Sequence, residues 1–289
     1  MVETTESQPQ DTPREQKRDD EDAPTPSQLT DRSDLHKMLF YSLLGGLCPL
    51  IPIPFLDDLL IKQIRLRMFK TQIIEAGLKL SDAQLDTLSK SPGQGCLRGC
   101  LIFIIIQGPL YILKKIFRKI FFFLAVKDAV DITSKLLHEG WLVQHMLTQS
   151  HLNQETLTDS ASLEKLRDAM LATCEEMDTR PLNQILRRFF RGSKAMVYKA
   201  VNALGSLFKK NGFSRKRPQS LEQALDTLDK EDESTLNKLL ASFSDVLEDS
   251  SSQAYFKQLQ LSFETHLNVK KETDQSERTF STPDADSRR

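Results

Sequence analysis

The helical character of this chain is clearest in residues 128–149, DAVDITSKLLHEGWLVQHMLTQ, which form an amphipathic pattern of helical period. Leu, Lys, Gln and Ala dominate most of the rest of the chain, with interruptions at Gly and Pro. Few β-branched alternating runs occur, and no Asn-Gly or Asp-Gly turn joins two strand-like runs. The sequence therefore predicts an all-α fold, a bundle of about eight to ten helices.

Charge divides the 289 residues into a basic, apolar middle and two acidic, polar ends. Residues 1–34 carry 10 acids and 4 bases, residues 35–221 carry 15 and 27, and residues 222–289 carry 15 and 8. The overall net charge of −1 therefore conceals a strongly basic body. Residues 1–34 and 268–289 lack the apolar surface that would offset chain entropy, so we predict disordered acidic tails at both ends.

Between the tails, the sequence indicates an apolar and basic helical region, 35–150, and an amphipathic helical region, 151–267. Gly77 closes a long helix, Ser81 and Gln84 form a capping box that opens a short one, and Gly140 is a candidate break. The other helices are expected over 35–47, 56–76, 160–177, 181–210, 219–229, 232–248 and 252–267.

Two apolar stretches raise the question of a membrane span. Residues 38–56 are uncharged, but three prolines limit the helical part to about 12 residues, or about 18 Å, against a hydrocarbon core of about 30 Å. Residues 101–126 carry four bases near their centre, and each base costs about 2.5–3.5 kcal/mol to insert. We expect neither stretch to span a membrane alone.

The second stretch has the pattern of a helix that lies in a membrane interface. Its bases form one stripe beside a broad apolar face, so that lysine stems can reach lipid phosphates. A core helix with one wet edge gives the same pattern, and the sequence leaves both interpretations open. In the first interpretation the membrane contacts are Leu101, Ile104, Lys114, Lys115, Phe117, Arg118, Lys119 and Phe121.

A second basic stripe lies in residues 179–221, which contain 11 bases and no acid, with apolar residues interleaved at helical spacing. Such a helix is typical of a protein that binds an anionic membrane surface or an acidic partner. The alternative is a core helix with a solvated basic face. No nucleic-acid-binding motif accompanies the charge, so nucleic acid is not the expected partner. The predicted lipid contacts here are Arg187, Arg188, Arg191 and Lys194.

No motif in the sequence predicts catalysis, a metal site or a cofactor. Phosphate-loop and nucleophile-elbow motifs are missing, and His138 and His145 are two helical turns apart, too far to share a zinc ion. The four cysteines lie in or beside apolar stretches, which indicates buried thiols in a reducing compartment.

One polar cluster is worth testing as a site. Spacings of three, four and three residues place its members on one helix face, although such a stripe is usually solvated or internally paired. The cluster consists of Asp128, Asp131, Lys135 and His138.

Two segments carry a resemblance to known proteins. Residues 51–58, IPIPFLDD, combine a Pro-x-Pro-x-x-Asp entry with the start of a long helix, and residues 118–131 read RKIFFFLAVKDAVD. They resemble hydrophobic, membrane-associated helical domains of unknown function in some bacterial inner-membrane proteins, including ones linked to GTPases. The resemblance implies membrane association and helical structure, but it supplies no activity and no catalytic residue.

These patterns together predict a non-enzymatic, membrane-associated helical protein. In this interpretation apolar helices and basic stripes hold the protein at the cytoplasmic face of an anionic membrane, and a protein partner is a further option. The alternative is a soluble helical bundle that binds a lipid or a partner helix, with residues 101–126 forming part of the core.

Overall fold

The computed structural model describes residues 26–51, 57–90, 118–210 and 233–280. Within these ranges the chain forms ten α-helices and no strand, which confirms the prediction of an all-α multi-helix bundle. A short 3₁₀ turn, Cys48–Leu50, follows the first helix. The helices are α1 (Pro26–Leu47), α2 (Asp57–Glu75), α3 (Asp82–Ser89), α4 (Arg118–Thr148), α5 (Gln154–Thr158), α6 (Ser160–Glu176), α7 (Arg180–Gly192), α8 (Lys194–Lys210), α9 (Glu233–Leu247) and α10 (Ser250–Phe280).

Helix α4 lies at the centre of the bundle, where it packs against α1, α2, α6, α7 and α10. Two glycines allow this close packing. A Cβ atom on Gly46 of α1 would lie 1.8 Å from Thr133 Oγ1, and one on Gly140 of α4 would lie 2.7 Å from Met38 Cγ. Helix α4 continues through Gly140, so this glycine permits a close approach of α1 and does not break the helix.

The described part of the first apolar stretch, residues 38–51, lies inside the protein. Met38, Leu43, Leu47 and Ile51 are all buried and belong to the same core as α2 and α4. These side chains are therefore covered by protein, which favours the core interpretation for this part of the stretch. Within the described residues, no helix is both long and apolar enough to cross a membrane.

Local capping signals are found where the sequence predicted them. Gly77 follows α2 with a φ of 80°, in the left-handed region that glycine adopts without strain. The backbone N–H of Gln84 donates to Ser81 Oγ at 3.3 Å, while the backbone N–H of Ser81 donates to the side-chain Oε1 of Gln84 at 2.8 Å. This reciprocal pair is the predicted capping box, and it opens α3.

The described helices extend into both segments that we predicted to be disordered. Helix α1 begins at Pro26 instead of near Leu35, and α10 continues to Phe280 instead of ending before residue 268. A helix that packing has already nucleated adds one hydrogen bond for each further residue it orders, so polar residues can continue it. The rest of the predicted tails, residues 1–25 and 281–289, lies outside the described residues.

The single helix predicted over 181–210 is wrong, because the chain divides into α7 and α8 at Ser193. The Ser193 amide still donates to the Phe189 carbonyl at 2.8 Å, and the Ser193 carbonyl accepts from the Val197 amide at 2.9 Å. Helix α7 packs mainly on α4, whereas α8 packs mainly on α9, so the turn lets the two helices follow different neighbours. The helix predicted over 219–229 lies outside the described residues.

Candidate functional site

The two faces of α7 have different roles. Leu182, Leu186 and Phe190 are buried in the core, while Arg187 and Arg188 are exposed on the opposite side. Arg191 at the end of α7 and Lys194 at the start of α8 are also exposed, so all four predicted lipid contacts of this segment lie on the surface. The apolar face of α7 is covered by protein, and the basic face is the side of α7 that is exposed to solvent.

The other predicted membrane contacts lie at or beyond the edge of the described residues. Arg118, Lys119 and Phe121 belong to the first turn of α4. The remaining five lie outside the described residues, namely Leu101, Ile104, Lys114, Lys115 and Phe117.

A polar pocket of about 560 Å³ opens between α4, α6 and α7. Three members of the predicted polar cluster, Asp131, Lys135 and His138, line it, whereas Asp128 is exposed and lies outside. Glu175 of α6 and Asn183 of α7 line the opposite side. The helical spacing therefore predicted the residues that α4 contributes to the pocket. No pattern in the sequence predicted the residues that α6 and α7 contribute.

A buried ion pair forms part of the pocket wall. The Arg65 guanidinium of α2 donates through Nε to Glu139 Oε2 and through Nη1 to the Ser89 carbonyl at the end of α3. Arg65 is 5% exposed and Glu139 is 1% exposed, and the guanidinium also lies 5.2 Å from the centre of the Phe69 ring. This pair joins α2, α3 and α4 and places a carboxylate in the pocket.

His138 lies in the pocket as a neutral imidazole. Its Nε2 atom shares a 2.8 Å hydrogen bond with the Tyr255 hydroxyl of α10, and burial lowers the pKa of His138 to about 4. Burial also raises the pKa of Tyr255 above its usual value. At neutral pH both partners are therefore uncharged, and the hydrogen bond fixes α10 against α4.

The buried imidazole makes stability depend on pH. In the unfolded chain His138 titrates near 6.5, but in the folded protein it titrates near 4, so the unfolded state binds more protons between these values. The contribution of the neutral His138 to the free energy of unfolding is therefore fully present above about pH 6.5, and it is lost as the pH falls toward 4. We expect His138 to account for a loss of about 2–3 kcal/mol in unfolding free energy between about pH 7 and pH 4.5.

A His138→Gln variant isolates this contribution, because its amide oxygen can accept from the Tyr255 hydroxyl and does not titrate. Urea unfolding at several pH values should show a shallower loss of stability in the variant than in the wild type. All other titrating groups are common to both proteins and cancel in the comparison. Parallel pH profiles would contradict the assignment of His138 as a neutral buried group.

A cluster of two histidines and a glutamate lies near the C-terminal end of α4. Nε2 of His145 and Nε2 of His151 lie 2.7 and 2.9 Å from the same oxygen, Oε1 of Glu264 in α10. Burial raises the pKa of Glu264, but the two histidine contacts outweigh it and the net shift is downward. The cluster joins α4, the following turn and α10. Glu264 lies more than a hundred residues from both histidines along the chain, so no local pattern could have revealed their contact.

The polar pocket also contains a thiol and several hydrogen-bonding side chains. Cys174 of α6 lines it, but burial raises the pKa of the thiol, so the thiolate that would act as a nucleophile is disfavoured. Within the described residues, no group of three or more His, Cys, Asp or Glu side chains could hold a metal ion. The pocket offers hydrogen-bonding groups and charges at its wall instead.

No known protein family, curated protein or solved structure matches this chain. The resemblance to hydrophobic helical domains of bacterial proteins therefore stays a prediction that rests on residues 51–58 and 118–131.

Proposed function

We propose that the protein is a non-enzymatic, membrane-associated helical bundle that binds an anionic surface at the cytoplasmic face of a membrane through the basic face of α7. The observation that carries this proposal is the orientation of α7, which buries its leucines and phenylalanines and exposes its arginines. A helix placed in this way adds to the core and presents a row of positive charge at the same time.

Charge in the surrounding sequence supports the proposal. Residues 179–221 contain no acid, so Arg187 and Arg188 have no carboxylate within their own segment. Asp178, just before it, pairs with Arg180, and Asp249 lines the same pocket as Arg188. Each base near an anionic bilayer contributes about 1 kcal/mol to binding, and the contribution fades within a Debye length of about 8 Å at physiological salt. Several bases on one face therefore give a reversible, salt-dependent attachment.

The described apolar residues restrict how the attachment works. Residues 38–51 lie in the protein core, so they are unavailable to lipid in this conformation. The proposed contact is therefore peripheral and electrostatic in the described part of the chain, and any apolar insertion falls to residues 101–126.

The second candidate function is a soluble helical bundle that binds a lipid or a partner helix. Burial of residues 38–51 favours this function, because an apolar stretch that is already buried in the protein core needs no membrane to shield it from water. In the first candidate the basic face of α7 binds an anionic membrane surface, whereas in the second it does not. Binding to anionic vesicles therefore distinguishes the two.

Replacing Arg187 and Arg188 with Gln should weaken binding to anionic vesicles by about 2 kcal/mol, or roughly thirtyfold, at low salt. Gln keeps the helix propensity and most of the side-chain stem, so the change isolates charge. Co-sedimentation with vesicles of phosphatidylglycerol and phosphatidylcholine measures the effect, and vesicles of phosphatidylcholine alone should bind both proteins equally weakly.

The matched control replaces Lys62 and Lys70, two exposed lysines of α2, with Gln. This variant loses the same net charge at a different surface, and we expect it to bind anionic vesicles nearly as well as the wild type. Equal binding by the wild type and the Arg187→Gln, Arg188→Gln variant would remove α7 from the membrane proposal and favour the soluble bundle.

A further inference from the structure

The exposed basic face of α7 continues into α8 across the turn at Ser193. The Ser193 N–H donates to the Phe189 carbonyl at 2.8 Å, and the Val197 N–H donates to the Ser193 carbonyl at 2.9 Å. Both hydrogen bonds join residues four apart, as in an α-helix, so the helical period is kept through the turn. Six exposed residues of α7 and α8, which we call the basic ridge, therefore fall within an arc of about 140° around the helix axis, namely Arg187, Arg188, Arg191, Lys194, Tyr198 and Lys199.

The charge of the basic ridge is of one sign. It carries five bases and no acid, and the segment 179–221 that contains it has no acid either. Asp249 lines the same pocket as Arg188, where its carboxylate accepts from the backbone N–H and the hydroxyl of Ser251 at the start of α10. The charge of Asp249 offsets at most one of the five positive charges. A surface of this kind is complementary to an anionic partner.

Tyr198 is the apolar member of the basic ridge. It is 44% exposed, and Nζ of Lys194 lies 5.9 Å from the centre of its ring. The described part of the chain exposes three other large hydrophobic side chains, but these belong to α2 and α10 and are Ile74, Leu261 and Val269.

A tyrosine among bases has the chemistry of a membrane interface. Tyrosine is enriched where a bilayer meets water, because its ring is apolar and its hydroxyl group is polar. Lysine and arginine beside the ring can extend their side chains to lipid phosphates while their stems stay against apolar groups. The combination of Tyr198 with five bases therefore favours the headgroup layer of an anionic bilayer as the occupant of this surface.

We propose that Tyr198 is the aromatic anchor of the membrane contact, with its ring in the headgroup layer of an anionic bilayer and the bases of the basic ridge on lipid phosphates. This inference rests on the proposed function, which assigns the basic face of α7 to a membrane surface. It adds to the electrostatic attraction a short-range contact that salt does not screen. The ring stays at the depth of the headgroups, so the attachment remains peripheral.

A salt series with three variants of the full chain tests the anchor. Tyr198→Ala should weaken binding to vesicles of phosphatidylglycerol and phosphatidylcholine by about threefold to tenfold. The factor should be the same from about 50 to 300 mM salt, because the variant changes no charge. Tyr198→Phe keeps the ring and should bind within about twofold of the wild type. Leu261→Ala is the matched control, since it truncates an exposed apolar side chain outside the basic ridge and should leave binding unchanged.

Fluorescence locates the side chain at position 198 directly. The wild type contains a single tryptophan, Trp141, which stacks on Phe256 and provides the baseline. In Tyr198→Trp, we expect anionic vesicles to shift the additional emission to shorter wavelength and to protect it from acrylamide, because the ring leaves water for the headgroup layer. Leu261→Trp should show neither change.

The outcomes separate the anchor from the proposed function. If Tyr198→Ala binds anionic vesicles as tightly as the wild type at every salt concentration, the anchor is wrong while the role of the arginines stands. Unchanged emission of Tyr198→Trp on vesicles that bind the chain has the same meaning. A loss in Leu261→Ala as large as that in Tyr198→Ala would also contradict the assignment to Tyr198. Absence of vesicle binding by the wild type would overturn both the anchor and the proposed function.

Discussion

Replacing Glu139 with Leu should lower the free energy of unfolding by about 3–5 kcal/mol. The substitution leaves the Arg65 guanidinium buried without its carboxylate, in a position where only 5% of the residue reaches solvent. Removing water from a charge is costly, and the cost is no longer offset when the opposite charge is removed. Arg65→Met should have a similar effect, because it leaves Glu139 buried and uncompensated.

The double variant Arg65→Met, Glu139→Leu separates the cost of an unpaired charge from the value of the pair. We expect it to recover most of the stability that either single variant loses, since two apolar side chains of similar volume avoid the desolvation cost. Urea unfolding of the four proteins gives the coupling energy directly. Single variants within about 1 kcal/mol of the wild type would contradict the burial of this pair.

An exposed pair of the same chemistry provides the control. Arg180 and Asp178 form an ion pair at 2.8 Å on the surface, where the side chains are 84% and 51% exposed. Asp178→Asn should leave the unfolding midpoint nearly unchanged, because solvent screens exposed charges. The contrast tests whether burial, and not the presence of an arginine–carboxylate contact, determines the effect.

The features that sequence reasoning predicted well are those whose partners lie within a few residues. The capping box at Ser81 and Gln84 needs only a three-residue spacing, and the turn at Gly77 needs only a residue that adopts positive φ. The all-α class follows from composition and period in the same local way. Such signals depend little on the rest of the fold, and for this reason the structure contains the capping box and the turn where the sequence predicts them.

The features that sequence reasoning missed depend on partners far along the chain. Arg65 and Glu139 are 74 residues apart, and His138 and Tyr255 are 117 residues apart. The turn at Ser193 has no proline to mark it and arises because α7 and α8 pack on different helices. Apolar periodicity identifies a buried face, but it does not identify the neighbour that covers it.

The predicted polar cluster shows the same limit within one helix. Spacing placed Asp128, Asp131, Lys135 and His138 on one face of α4, and the structure places three of them at the pocket. It also buries His138 beneath α10 while Asp128 stays exposed. A single helix face can therefore run from solvent into the core, because the helices packed against it cover only part of its length.

Truncating a leucine on the apolar face of α7 should also have a large effect on the free energy of unfolding. The effect is large if this face packs in the protein core and small if the face contacts lipid. Leu186 is 0% exposed, so Leu186→Ala removes methyl groups from the core and leaves a cavity. We expect the free energy of unfolding to fall by about 2–5 kcal/mol. A face that contacted lipid instead would leave the stability of the protein in detergent-free solution nearly unchanged.

A matched leucine on the surface makes this comparison sharp. Leu261 of α10 is 61% exposed, and Leu261→Ala should change stability by less than about 0.5 kcal/mol. Urea unfolding measures both variants, and vesicle co-sedimentation at a temperature where both stay folded measures their binding. If Leu186→Ala keeps full stability but loses vesicle binding, the apolar face of α7 contacts lipid. A loss of stability with unchanged binding assigns that face to the core and leaves the arginines as the only part of α7 that attracts an anionic surface.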